Sequence, residues 1–102
     1  MSKEIHIAIG STTSMPGQIE HNLKQIAAFA RRGAANGVEL LLTPEMSASG
    51  YGGYPEVIAT AEIAGDGPIY QALARTAADT GVVIAAGFVE KLESRHLLAH
   101  YV

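Results

Sequence analysis

Residues 37–45, which read Gly-Val-Glu-Leu-Leu-Leu-Thr-Pro-Glu, constrain the fold more than any other segment of the chain. Their near-continuous apolar run is typical of a parallel strand that is buried on both faces. Pro44 has no N–H to donate, so the strand is expected to end there. Glu45 then lies at the carboxyl end of a central strand, where open α/β sheets place their chemistry. Spacing alone also fits an exposed glutamate without a function.

Apolar periodicity predicts alternating strands and helices along the rest of the chain. The predicted elements are a strand over residues 5–10, a helix over 18–36, the strand over 38–43, a short helix that opens at residue 55, a helix over 66–80, and strands over 82–89 and 95–102. Gly37 and Gly81 are the predicted stops of the two long helices, and Asp66 is the predicted N-cap of the second. The β-α-β-α-β-β order predicts an α/β fold with a mostly parallel sheet and right-handed crossovers.

The composition is that of one small globular domain. Of the 102 residues, 48% are hydrophobic and 17% are charged, which argues against disorder. The net charge is −3, and no basic cluster extends beyond Arg31-Arg32. We therefore expect no nucleic-acid partner and no membrane partner. No apolar run approaches the ~20 residues that a membrane span needs, and a cytoplasmic location is the expected default.

The sequence contains no cysteine. Disulfide bonds, cysteine-based metal sites and a cysteine nucleophile are therefore excluded within this chain. His96 and His100 are four residues apart, but no nearby pair of acidic residues would complete a metal site. We expect ordinary strand histidines, no metal and no cofactor. Glu90 follows a predicted strand, and we expect it to be solvated in a charged turn over residues 90–94.

A loop rich in glycine and tyrosine follows Glu45, over residues 46–55. Loops after a catalytic strand end often line a substrate pocket, so Tyr51 and Tyr54 are candidate substrate-binding residues. Packing that anchors the loop explains the two tyrosines equally well. The segment does not read as a phosphate loop, because no Lys-Ser/Thr pair follows its glycines.

The last predicted strand stays apolar up to the final residue, with Leu97, Leu98, Tyr101 and Val102. No turn or polar tail closes it. An unpaired apolar strand edge is open to association. We therefore expect the chain to be the front part of something longer, and to form a homo-oligomer.

Several short motifs occur in an order that is similar to that of a known family. They are Asn22, Gly33-Ala34, the apolar strand into Pro44-Glu45, Ser49-Gly50-Tyr51, Asp66-Gly67-Pro68-Ile69 and Gly87-Phe88-Val89-Glu90. In this order the chain resembles the nitrilase superfamily of carbon–nitrogen hydrolases over essentially its whole length. Residues 1–102 are expected to form the N-terminal part of a single carbon–nitrogen hydrolase domain.

The resemblance implies part of a four-layer α-β-β-α sandwich, incomplete at the C-terminus, and a Glu-Lys-Cys catalytic set. Members of the superfamily act on amides, nitriles or carbamoyl compounds, and Glu45 aligns with their general base. Such a carboxylate takes the thiol proton and later passes it to the leaving amine, while the lysine stabilises the anionic intermediate. The family's lysine and cysteine lie later than residue 102, and Lys91 lies outside its lysine motif. The chain alone is therefore expected to be inactive.

Two other functions stay open at this point. One is a noncatalytic module that self-associates or binds a partner, which the apolar C-terminal strand favours. The other is a small flavodoxin-like or nucleotide-binding α/β domain, which explains the β-α-β order. That alternative does not explain Pro44-Glu45, and the loop after the first strand lacks the glycine fingerprint of such domains.

Overall fold

Four strands form one mixed sheet in the computed structural model, which describes residues 4–102. In chain order the elements are β1 (Ile7–Ile9), α1 (Ile19–Ala35), β2 (Leu40–Leu42), α2 (Pro55–Ile58), α3 (Pro68–Thr80), β3 (Val83–Leu92) and β4 (Arg95–Tyr101). The predicted α/β class and element order are confirmed, including the short helix that opens at residue 55. Residues 1–3 of the predicted domain lie outside the described residues.

The first three strands run parallel, so their carboxyl ends share one edge of the sheet. Ile7, Leu40 and Val83 lie side by side across them, and so do Ile9, Leu42 and Ala85. β4 then returns antiparallel to β3 as the second arm of a hairpin. The loops that follow β1 and β2 therefore meet at the end of the sheet where parallel α/β folds place their sites.

The first two strands are shorter than predicted, with β1 confined to Ile7–Ile9, and the third is longer. β2 covers only Leu40–Leu42, whereas β3 continues to Leu92 because its second half pairs with β4. The prediction that Glu90 is a solvated turn residue is wrong, since Glu90 is half-buried in β3 opposite Leu97. The turn of the hairpin is confined to Glu93 and Ser94.

Both long helices pack on one face of the sheet, and the hydrophobic core lies between them and the strands. Its buried members are Ile26 and Ala30 of α1, Ile69 and Leu73 of α3, and Leu41, Ile84, Ala86 and Phe88 of the sheet, with Ala48 and Val82 beside them. Burial of one large apolar side chain contributes about 1.5–3 kcal/mol to folding. Apolar residues at helical spacing on α1 and α3 thus supply the helical half of the core.

The opposite face of the sheet exposes apolar side chains. Ile7, Ile9 and Val83 retain 54%, 81% and 50% of their accessible surface. The prediction that β2 is buried on both faces is wrong for residues 4–102. Leu41 faces the helices and is 1% exposed, whereas Leu42 on the other face is 37% exposed.

The predicted ends of the two long helices are confirmed, whereas the predicted N-cap of α3 is wrong. Gly37 and Gly81 follow α1 and α3 with left-handed φ angles of 75° and 74°, which glycine adopts without a steric penalty. Helix α3 begins at Pro68, and its N-cap residue is Gly67, which has no side chain to donate or accept. Asp66 is exposed one position further out. The carboxylate that caps α3 comes instead from Glu62.

Candidate active site at the end of strand β2

Glu45 lies three residues beyond the end of β2, at the start of a tight turn over residues 45–49. Its side chain is exposed. Among the residues that the structure describes, the Glu45 carboxylate makes no hydrogen bond and no ion pair. An unpaired carboxylate keeps all of its acceptor positions for an incoming group. It can therefore take a proton from a molecule that approaches this edge of the sheet.

Buried hydroxyl groups hold the backbone of this turn against β3. Thr43 Oγ1 donates a 2.8 Å hydrogen bond to the Ala85 carbonyl. Because that bond uses its only proton, the Ser47 hydroxyl donates across the 2.7 Å between the two hydroxyl oxygens. Ser47 Oγ also accepts the Gly87 N–H at 3.1 Å, and the Ser47 carbonyl accepts the Ser14 hydroxyl at 2.6 Å. Ser47 is 0% exposed, so most of this network is shielded from competing water.

Asn22 of α1 ties the turn to the loop that follows β1. Its side chain is 0% exposed. Asn22 Oδ1 accepts the Met15 N–H at 2.8 Å, and Nδ2 donates to the carbonyls of Met15 and Ala48 at 2.9 and 3.0 Å. One buried amide therefore fixes a helix and two loops through three hydrogen bonds, and every polar atom of its side chain is satisfied.

The residue after Glu45 has an uncommon backbone conformation. Met46 has a φ angle of 56°, which few residues with a side chain adopt. The Met46 side chain is 5% exposed and packs with Val57 and Val89. On the other side, Gly87 lets β3 approach closely, since a Cβ atom there would overlap the Met46 nitrogen. Packing thus holds the turn in a strained geometry, as at many functional sites.

A second glutamate, Glu62, is 6% exposed and stabilises the start of α3. Its carboxylate accepts the N–H groups of Ile69 and Tyr70 at 2.9 Å each, and the hydroxyl of Tyr101 at 2.9 Å. A carboxylate at this position also interacts favourably with the helix dipole. Gly67 leaves the space for the carboxyl group, because a Cβ atom at that residue would lie 2.5 Å from it.

Tyr101 connects this helix cap to the core. Its ring stacks on Phe88, with centroids 3.8 Å apart, and meets Tyr70 edge to face at 5.4 Å. The Tyr101 hydroxyl also accepts the Gly65 N–H at 3.0 Å. Burial raises the pKa of Tyr101 from 10.0 to about 12, and the hydrogen bond to Glu62 acts in the same direction.

A cavity of about 350 Å³ opens beside Met46. Tyr51 is one of its lining residues, whereas Tyr54 is not. The Tyr54 ring lies instead over Gly52, where an added Cβ atom would come within 2.7 Å of it. Both tyrosines are exposed, by 67% and 55%. That Tyr51 and Tyr54 bind substrate stays a prediction, and so does the base role of Glu45.

The two histidines of β4 belong to no metal-binding cluster among residues 4–102. Within the described part of the chain, no three His, Asp or Glu side chains lie close enough together to hold a metal ion. His96 and His100 of β4 lie opposite Lys91 and Gly87 of β3. In the same range of residues, no helix is long and apolar enough to cross a membrane.

Comparison with known proteins identifies the family. A family model described as carbon-nitrogen hydrolase matches residues 6–102. The chain belongs to the carbon–nitrogen hydrolase family. Comparison with curated protein sequences gives no match.

Two solved structures resemble this carbon–nitrogen hydrolase chain. An amidase from Nesterenkonia sp. is 25% identical with a TM-score of 0.73, and the match covers 94% of this chain and 36% of the amidase chain. A cysteine-to-alanine mutant of Nesterenkonia AN1 amidase, from the nitrilase superfamily, is 24% identical with a TM-score of 0.74. That match covers 94% of this chain and 37% of the mutant chain. The predicted superfamily and nitrilase-like fold are therefore confirmed, and the chain spans just over a third of the length of these amidases.

Sequence patterns assign no structural role to Ser47 and Gly87, which hold the turn of Glu45, or to Glu62, which caps α3. A glycine inside a strand often marks a close backbone approach, and that signal could have found Gly87. Ser47 gives no such signal, because its partners are distant in sequence. Glu62 gives none either, since its carboxylate bonds to residues that are 7, 8 and 39 positions away.

Proposed function

We propose that this carbon–nitrogen hydrolase chain supplies the general base, Glu45, and part of the scaffold of a hydrolase for carbon–nitrogen bonds other than peptide bonds. The observation that carries the proposal is an exposed carboxylate that has no partner among residues 4–102, on a turn that buried Asn22 and Ser47 hold in place. The family match over residues 6–102 supports it. The substrate classes are amides, nitriles and carbamoyl compounds.

The proposed reaction needs two groups that residues 1–102 do not provide. The chain has no cysteine, so the thiol nucleophile comes from a further part of a longer chain or from a second polypeptide. The catalytic lysine has the same origin in this proposal, and residues 1–102 then form the N-terminal part of the hydrolase domain. A cytoplasmic location belongs to the proposal as well, because thiols stay reduced in that compartment.

For an amide, the proposed chemistry passes a proton through Glu45 in each of its two halves, first from the thiol to the amine and then from water to the sulfur. Glu45 first takes the proton from the thiol while the sulfur bonds to the carbonyl carbon. The carbonyl electron pair moves to oxygen, where the lysine ammonium group stabilises the negative charge. When this intermediate collapses, the carbon–nitrogen bond breaks and Glu45 gives its proton to the amine. Water then attacks the thioester and gives a proton to Glu45, which returns it to the sulfur as the carboxylic acid leaves.

A chimera tests the role of Glu45. Residues 1–102 replace the segment of the Nesterenkonia sp. amidase that they match, so that the amidase supplies the rest of the protein. We expect amide hydrolysis by this chimera. Glu45→Gln is expected to lower kcat by about 10²–10⁴-fold, the usual contribution of a general acid–base residue. Glu39→Gln is the matched control, because Glu39 is exposed and precedes β2.

Two outcomes contradict the proposal. Equal kcat values for Glu45→Gln and Glu39→Gln, in chimeras with the same circular dichroism spectrum, would exclude Glu45 as the base. Amide turnover by the purified 102-residue chain would exclude a thiol mechanism, because that chain has no cysteine. Should the chimera fail to fold, the same two substitutions are compared in the complete reading frame that encodes these residues in their source.

The exposed face of the sheet favours a second candidate function, a noncatalytic module that forms a homo-oligomer. Ile7 and Val83 lie in one cross-strand row with Leu40, and Ile9 lies with Leu42 in the next row on the same face. Contiguous exposed apolar surface of this kind typically marks a contact between proteins. Sedimentation velocity is the test: the wild-type chain is expected to sediment as an oligomer, and Ile9→Lys as a monomer. Leu92→Lys, at the hairpin end, is the control and should stay oligomeric, whereas a wild-type monomer would contradict this candidate.

A further inference from the structure

We propose that the cavity beside Met46 is an acyl-group site, which takes a small, uncharged apolar group such as the aromatic ring or branched alkyl chain of a carboxamide. That the occupant is the acyl part of an amide rests on the proposed function. The apolar character and the size of the cavity do not depend on it.

Three parts of the chain that are distant in sequence build this cavity. The loop after Glu45 contributes Met46 and Tyr51, the short helix α2 contributes Ile58, and the β3–β4 hairpin contributes Val89 and Leu98. The volume of about 350 Å³ is near the lower end of the range for ligand pockets, roughly 300–1,000 Å³. The cavity is therefore suited to one small group.

The chemistry of the wall selects against charge. No Asp, Glu, Lys or Arg side chain of the described residues lines the cavity. A charged group would lose its hydration there without gaining a partner, which is costly. The lining residues with a polar side chain are Tyr51 and His96, whose hydroxyl and imidazole can each donate or accept a hydrogen bond. An apolar group with one uncharged polar end satisfies both kinds of surface.

Met46 links the cavity to the candidate base. Its side chain is 5% exposed and packs against Val89, so it forms a fixed part of the wall. Its backbone is joined directly to Glu45 in the turn that the Gly87 contact holds in place. A ligand seated against Met46 therefore lies beside the turn that carries the carboxylate.

Binding to the 102-residue chain tests the proposal without any need for turnover. The ¹⁵N-labelled chain is titrated with benzamide, with acetamide and with 4-carbamoylbenzoate while the amide resonances are followed by NMR. Benzamide is expected to bind with a Kd in the low-millimolar range, typical of a ligand of its size. Its saturable shifts should centre on Met46, Gly52, Gly53 and Val89. Acetamide lacks the apolar group and 4-carbamoylbenzoate adds a charge, so both should bind at least about fivefold more weakly.

Two matched pairs of variants locate the site. Leu98→Asn places an amide in the cavity wall and is expected to weaken benzamide binding by about fivefold. Leu92→Asn changes an exposed leucine outside the cavity and should leave the Kd unchanged. His96→Gln and His100→Gln form the second pair, in which only the lining residue His96 should alter binding. Leu98 and Leu92 are 60% and 44% exposed, so neither substitution removes a core residue.

Three results would overturn the inference. They are equal binding of benzamide and acetamide, equal effects within either pair of variants, or shifts that centre on a second groove, which lies between α3 and the start of β3 and is lined by Leu73, Ala77 and Val83. Because this assay needs neither a lysine nor a thiol, its failure is separate from failure of the proposed function. An active chimera without benzamide binding would reject the cavity alone. If benzamide binds but the folded chimera is inactive, the cavity is an apolar ligand site, and its role in amide hydrolysis is rejected.

Discussion

Gly87 of β3 lies directly against the peptide that joins Glu45 to Met46, so closely that a Cβ atom at residue 87 would overlap the Met46 nitrogen. The Gly87 N–H donates to Ser47 Oγ at 3.1 Å, and its carbonyl accepts the Ala48 N–H at 2.9 Å. The position of the turn that carries Glu45 is therefore set by a neighbouring strand as well as by the strand that precedes it.

Gly87→Ala is expected to destabilise the protein by about 2–4 kcal/mol, because an added methyl group at a site without space forces the backbone of the turn or of β3 to move. Urea unfolding followed by circular dichroism measures this loss. Gly53→Ala is the control, since a Cβ atom at residue 53 would meet no atom within 4 Å. Equal stability of the two variants would show that the turn does not depend on the close approach of β3.

Asn22→Ala is expected to cost about 2–4 kcal/mol of stability. The substitution leaves the Met15 N–H and the carbonyls of Met15 and Ala48 without their present partner, and unsatisfied buried polar groups are costly. Asn36→Ala is the matched control, because Asn36 is exposed and donates a single bond to the Arg32 carbonyl. Hydrogen exchange of the Met15 amide, whose N–H donates to Asn22 Oδ1, should also speed up in Asn22→Ala but not in the control.

The order of helices and strands could be predicted because each long element shows its buried face as a local pattern. Ile26 and Ala30 recur at helical spacing and both lie in the core. Pro44 predicts that β2 stops before Glu45, and β2 indeed ends at Leu42, which leaves Glu45 in a loop. The pattern does not show which face of β1 is covered. Alternation puts Ile7 and Ile9 on one face, yet it is Ala8 on the other face that packs against the core.

The contacts that hold the candidate site could not be predicted, because they join residues that are far apart in sequence. Asn22 bonds to a residue 26 positions away, and Ser47 to one 40 positions away. The N-cap of α3 shows the same limit. Asp66 is the nearest acidic residue and is the natural choice from local sequence, yet the carboxylate at the helix start belongs to Glu62, which β3 holds in place through a backbone bridge at Glu90.

Alanine substitution of the two acidic residues before α3 distinguishes their roles. Glu62→Ala is expected to cost about 2–4 kcal/mol, because the Ile69 N–H loses its partner in a buried position and a helix cap is lost. Asp66→Ala should change the free energy of unfolding by less than about 0.5 kcal/mol, as at most exposed positions. Glu62→Gln keeps the size of the side chain but not its charge, and should fall between the two. A larger effect of Asp66→Ala than of Glu62→Ala in urea unfolding would contradict this assignment.

Tyr101 should make stability fall at high pH. Burial and the bond to Glu62 raise its pKa from 10.0 to about 12 in the folded chain, whereas the unfolded chain keeps the ordinary value of about 10. Above pH 10 the unfolded state therefore loses the phenol proton first, so the contribution of Tyr101 is complete below pH 10 and disappears as the pH rises through 12. Urea unfolding from pH 9 to pH 11.5 is expected to show a steeper loss of stability for the wild type than for Tyr101→Phe, because only the wild type carries this phenol. The other titrating groups are common to both proteins and cancel in the comparison. Phenolate absorbance at 295 nm gives an independent check: the wild type should show a tyrosine ionisation near pH 12 that Tyr101→Phe lacks. Parallel stability curves for the two proteins over this range would contradict the raised pKa.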